Sequence, residues 1–172
     1  LTKASSVAAD AALINPYSFA PPIAPHIAAA QAGRLITIDT IVQAFTALAK
    51  RADVVVVEGA GGFMIPLNAT ETSADLARRF ALPVVIVVGM RLGCLNHALL
   101  TRRAIADHGL TCAGWVCNAI DPGMQGFAEN REALTQRLDA PLIGSIPHVS
   151  QPDSAACADY LSLHALTASS HG

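Results

Sequence analysis

Two rhythms of apolar residues alternate along this chain. In one, apolar residues recur every three or four positions, as in Ile38, Ile41, Val42, Phe45 and Leu48; that period predicts a helix over 37–51. In the other, apolar residues run without interruption for four to eight positions, as a strand buried on both faces requires. The runs are "DVVVV" at 53–57, "LPVVIVVG" at 82–89, "CAGWVCNAI" at 112–120 and "APLIGSIP" at 140–147. Helical spacing returns over 72–80, with Thr72 or Ser73 as N-cap. It returns again over 96–108, where Gly109 stands at the position that ends a helix, and over 127–138 and 154–167. The stretch 14–33 carries Pro16, Pro21, Pro22 and Pro25 and is expected as an ordered loop or a short helix.

Apolar strands that alternate with helices predict an α/β fold: a mostly parallel sheet with helices on both faces, in a single domain over 1–172. In such sheets, ligands bind at the carboxyl ends of the strands. Candidate chemistry is therefore expected just after each run, at 58–62, 89–96, 118–121 and 146–148.

Composition narrows the partners. The chain is 52% hydrophobic and 14% charged, with mean hydropathy +0.43, which fits a well-filled core. A net charge of -2 provides no field to attract nucleic acid or an anionic membrane. No apolar run reaches the roughly 18 residues of a membrane span. No secretory signal is visible, and a cytoplasmic location is expected. Cys94, Cys112, Cys117 and Cys157 have no CxxC spacing, so they read as free, at least half-buried thiols rather than zinc ligands.

The most unusual stretch is "VVVVEGAGGFMIPL" at 54–67. A carboxylate that ends a buried strand is costly unless it has a partner. Glu58 could meet one in a magnesium ion carried on phosphate, the role of the acid at this position in P-loop NTPases. Gly59, Gly61 and Gly62 allow backbone N–H groups to approach an anion closely. The plainer alternative is a tight turn with an exposed Glu. In "VVGMRLGCLNHALLT" at 87–101, a helix beginning near Leu95 or Asn96 would offer free N–H groups to an anion, with Arg91 adding charge. Alternatively, Asn96 only caps that helix; His97 reads as structural. Asn118 carries an amide suited to the edge of a base, or it only initiates the turn before "DPG". Pro147 before His148 reads equally as a strand terminator. Asp75 needs no role beyond the dipole of its helix.

Taken in order, "NPYSFAPPIAPHIAAAQAGR", "VVVVEGAGG", "GMRLGCLNHALLT", "GLTCAGWVCNAI" and "APLIGSIP" resemble the dethiobiotin synthetase family. The resemblance implies a P-loop NTPase-like α/β/α fold and a ligase of biotin biosynthesis. Its substrates would be 7,8-diaminopelargonic acid, CO2 and ATP, with Mg²⁺. It implies Glu58 as metal ligand, and Glu58, Gly59, Ala60 and Gly61 at the ATP phosphates. Gly61 and Gly62 would contact substrate, as would Gly93, Cys94, Leu95 and Asn96, which hold its carboxylate tail from the partner subunit of a homodimer. Asn118 and Ala119 would read adenine, with Ile146, Pro147 and His148 as the other wall of its pocket.

The sequence departs from that family in two places. It contains no GxxxxGK[ST], and its two lysines, Lys3 and Lys50, follow no glycine loop. The expectation is therefore a piece of a longer synthetase, its C-terminal three quarters. The first βα unit would be absent and the piece inactive by itself, with no catalytic residue assigned in it. Asn130 also stands near the place where the family can use a tyrosine. Two other readings fit the acid-ended strand: a related ATP-dependent amidoligase, or a non-catalytic dimeric subunit.

Overall fold

The computed structural model describes residue 2 and residues 5–167. The chain forms two compact units, Leu1–Ala81 and Leu82–Gly172.

The first unit is helical: α1 (Ala11–Ile14), α2 (Pro25–Gln31), α3 (Ile38–Ala49) and α4 (Ser73–Phe80). Pro25 opens α2 at its first turn, where a missing N–H costs nothing and the fixed φ is already helical. The apolar stripe of α3 reaches the core, in which Ala29, Ile36, Ile38 and Leu67 are buried and Tyr17, Phe19, Ile41, Val42 and Leu76 pack against them. The rings of Phe45 and Phe80 lie 4.8 Å apart and tilted by 55°, tying α3 to α4. Contacts made by Tyr17 and Arg34 hold the proline-rich stretch. Tyr17 Oη accepts the Thr37 N–H at 3.2 Å, and the Arg34 guanidinium sits 5.1 Å from the Tyr17 ring centre and 5.6 Å from that of Phe19.

Residues 54–57 do not form the expected strand. They are extended but pair with no strand among the described residues, and Val54 and Val56 are 78% and 86% exposed. The local signal was sound, because β-branched residues favour extended backbone. A strand, however, is completed only by a neighbour that takes up its N–H and C=O groups.

The second unit carries the sheet. Strands β1 (Val84–Gly89), β2 (Cys112–Asn118) and β3 (Leu142–Ile146) lie side by side in that order, all parallel. Helices α5 (Cys94–Asp107) and α6 (Phe127–Arg137) make the crossovers that parallel strands require. The core is built on β2, buried from Cys112 to Cys117, together with Ile105, Leu134 and Leu138, none of which has accessible surface. Each such leucine or isoleucine contributes about 1.5–3 kcal/mol by leaving water. Along β1, Ile86 and Val88 are buried whereas Val85 and Val87 are exposed, so this strand is covered on one face only. The Trp115 side chain is fully buried, and its indole N–H has no acceptor among the described residues.

The long helix expected over 154–167 is two short ones, α7 (Ser154–Ala158) and α8 (His164–Thr167). Between them, Leu161 bridges Gly144 in antiparallel fashion, and the Ser162 N–H donates to the Ile143 carbonyl at 2.8 Å. The chain gives up helical bonds there to satisfy the open edge of β3, which local spacing cannot foretell.

Candidate functional site

In the first unit the candidate chemistry is the loop 58–65. Glu58 is exposed, with no ion pair or hydrogen bond among the described residues. The burial cost expected to demand a partner for it is therefore absent, because the preceding valines are not buried. What remains is a free carboxylate beside a run of free donors: the N–H groups of Gly59, Ala60, Gly61 and Gly62 meet no acceptor among the described residues. Gly61 has φ +89, and a methyl group there would come within 3.2 Å of the Ile65 side chain. The loop thus turns where only glycine is unstrained. A chain of free N–H groups around such a turn has the character of an anion nest.

The far end of the loop is held firmly. Ser73, the first residue of α4, donates its hydroxyl to the Phe63 carbonyl at 2.7 Å, with the Gly62 carbonyl at 3.2 Å. The same oxygen accepts the Ile65 N–H at 2.9 Å, and the Ser73 N–H donates to the Ile65 carbonyl at 2.8 Å. Asp75 fixes the helix start, accepting both the N–H and the hydroxyl of Thr72 at 2.9 Å. Thr72 is thus the N-cap, which frees Ser73 for the loop. Local sequence assigns Asp75 only a dipole role and Ser73 only a possible cap. The available signal was a Thr-Ser-x-Asp start shortly after a glycine loop.

No group of three or more His, Cys, Asp and Glu residues is placed to hold a metal among the described residues. A magnesium ion needs no such cage, since it uses one or two carboxylates and completes its shell with water and substrate phosphate. Glu58 fits such a role. A hollow of about 440 Å³ elsewhere in this unit, lined by Phe19, Pro21, Ala28, Gln31 and Arg34 among others, includes none of the predicted site residues.

In the second unit the strand register brings several predicted residues to one end of the sheet. Gly89 pairs with Asn118, and Asn118 with Ile146. The backbone locks this level: Met90 N–H donates to the Asn118 carbonyl at 2.8 Å and Ala119 N–H to the Ile146 carbonyl at 2.9 Å. The Asn118 side chain is half-buried and makes no hydrogen bond among the described residues, so its donor and acceptor are both available. Pro147 and His148 follow on the exposed surface.

Helix α5 begins at Cys94, two residues before the expected start of 96–108. Gly93, at φ +91, is the N-cap. Cys94 is buried and its N–H donates to the Arg91 carbonyl at 3.0 Å, so a packed thiol sets the start. The next two N–H groups, of Leu95 and Asn96, have no acceptor among the described residues, and Arg91 is exposed nearby in sequence. The groups open to an anion here are backbone donors, not the Cys94 side chain.

The four cysteines are free thiols, with Cys94, Cys112 and Cys117 buried. Burial pushes the Cys112 and Cys117 thiols above their ordinary pKa. Hydrogen bonds to the Gly114 carbonyl and to Ser145, respectively, offset part of that. Such thiols suit packing rather than nucleophilic chemistry.

A parallel α/β sheet with free donors gathered at its carboxyl end defines a class before a particular enzyme, and a family model described as an AAA domain matches residues 1–156. Comparison with individual proteins goes further. The chain is 55% identical over 150 residues to an ATP-dependent dethiobiotin synthetase of Aromatoleum aromaticum, covering 87% of this chain and 67% of that protein. It is 52% identical over 154 residues to the synthetase of Nitrosospira multiformis, covering 90% and 68%. It is 50% identical over 163 residues to that of Xanthomonas euvesicatoria, covering 95% and 73%. The chain belongs to the ATP-dependent dethiobiotin synthetases, a family of ligases. No described helix is long and apolar enough to cross a membrane.

Proposed function

We propose that the enzyme to which this chain belongs closes a cyclic urea on 7,8-diaminopelargonic acid, using CO2 and Mg-ATP, in the cytoplasm. One amine takes up CO2 and releases a proton, giving a carbamate. A carbamate oxygen accepts the γ-phosphoryl group of ATP, leaving ADP and a carbamic-phosphoric anhydride. The second amine attacks that carbon, the bond to phosphate breaks, and dethiobiotin and phosphate leave.

The residues of this chain bind and orient the reactants. Gly59, Ala60 and Gly61 present N–H groups to phosphate oxygens, and Gly61 with Gly62 presents them to the carbamate, where negative charge builds up. Glu58 is the residue that would hold magnesium, whose chemistry is to neutralise triphosphate charge. Asn118 donates to and accepts from the adenine edge, with Ala119 beside it and Ile146, Pro147 and His148 forming the opposite wall. Gly93, Cys94, Leu95 and Asn96 receive the substrate's carboxylate tail at the start of α5. In a homodimer, this loop serves the site of the other subunit.

The observation that carries this reading is the run of four N–H groups, directly after a carboxylate, that like it have no partner among the described residues. The test supplies the complete gene product with 7,8-diaminopelargonic acid, bicarbonate and Mg-ATP and follows dethiobiotin by mass. Wild type should form it, and Glu58→Gln should lower kcat by about 10²-fold or more, the usual effect of losing one preorganised electrostatic group. Unchanged kcat in the variant would remove Glu58 from the metal site. ATP hydrolysis without dethiobiotin would overturn the assigned reaction.

A further inference from the structure

The glycine loop is free at its start among the described residues and held at its end, where the Ser73 side chain takes part. Ser73 makes three contacts through a single hydroxyl: to the Phe63 carbonyl at 2.7 Å, the Gly62 carbonyl at 3.2 Å and the Ile65 N–H at 2.9 Å. Its own N–H adds a bond to the Ile65 carbonyl at 2.8 Å. The hydroxyl has one proton, so the shorter contact to Phe63 is the main one and Gly62 shares it. Backbone contacts add to the anchoring: Pro66 bridges Thr72, and Leu67 N–H donates to the Glu71 carbonyl at 2.9 Å.

We infer that Ser73 is a positioning residue for the ligase reaction. It sets the direction of the free N–H groups at Gly61 and Gly62 by fixing the carbonyl ends of the peptides that follow them. The inference rests on the reading of 58–62 as the phosphate and carbamate loop. The physical reason is preorganisation. Donors aimed at developing charge lower the barrier only if they need not be reoriented as the reaction proceeds, and glycine-rich backbone has no stiffness of its own. The hydroxyl lies at the first residue of α4, whose start is separately fixed by Asp75. Removing the Ser73 hydroxyl therefore takes away a side-chain anchor of the loop while leaving the helix capped.

The experiment uses the complete gene product with Ser73→Ala, and the pair Ser73→Thr and Ser73→Val, which have the same shape and differ by the hydroxyl. Glu58→Gln and Gly61→Ala are measured alongside. Ser73→Ala and Ser73→Val should lower kcat about tenfold, the equivalent of about 1.4 kcal/mol, well below the melting temperature. KM for ATP should change less, and the melting midpoint should stay close to wild type. Ser73→Thr should recover most of kcat. If Ser73→Ala fails to fold, the Thr and Val pair decides. Equal kcat in that pair, or a fall in melting midpoint with kcat intact, overturns the positioning role. If Glu58→Gln and Gly61→Ala are impaired while the Ser73 variants are not, the inference alone fails. If all of them keep wild-type kcat, the loop is not the site and both readings fail.

Discussion

At the scale of single residues, the candidate site depends on what each backbone position permits. Gly61 is the clearest case. Its φ of +89 is unfavourable for any residue with a Cβ, and Ile65 already occupies the space a methyl would need, at 3.2 Å. Gly61→Ala should cost about 1–2 kcal/mol of local strain, which the loop relieves by turning its N–H groups away. The expected outcome is a fall of about tenfold in kcat/KM, read from steady-state kinetics, with thermal melting little changed. The need for glycine in "EGAGG" was legible in the sequence. The environment of Glu58 was not: the expected burial depended on a strand that residues 54–57 do not complete. Its free carboxylate is better explained by exposure than by a partner inside the protein.

At the scale of elements, the helices were legible and their ends were not. The helix over 37–51 is found at Ile38–Ala49, that over 72–80 at Ser73–Phe80, and that over 127–138 at Phe127–Arg137. A helix satisfies its own hydrogen bonds, so its periodic pattern is nearly sufficient. Ends depend on competition. Cys94 begins α5 because its side chain packs inward, and the last helix is divided because β3 captures Leu161 and Ser162. At the start of α4, Asp75 accepts two bonds from Thr72, so it does more than face a dipole. Asp75→Ala should cost about 1 kcal/mol, seen as a lowering of the melting midpoint by about 2–4 °C. A melt unchanged within error would mean that the cap contributes nothing.

At the scale of the whole molecule, buried thiols couple stability to pH. Burial raises the pKa of Cys112 and Cys117, so the folded state holds their protons more tightly than the unfolded state. Their contribution is complete below the ordinary thiol range and is lost as pH rises through the raised folded values. Denaturant midpoints should therefore fall on going from neutral to alkaline solution. Below that range, an alkylating reagent should label the half-buried Cys157 well before Cys112 and Cys117, as peptide mass mapping would show. Labelling of all at one rate would contradict the packing described. What the sequence by itself determined about this protein is whatever closes within a short stretch of chain: the helical periods, the glycine turn, the thiols that form no pair, and the order of motifs that marks the family. What only the tertiary structure decided is whatever needs a distant partner. A strand exists only when another strand takes up its backbone groups, so residues 54–57 pair with none among the described residues while β1, β2 and β3 align Gly89, Asn118 and Ile146 at one level. A loop is rigid only where another segment holds it, as Ser73 does from the first turn of α4.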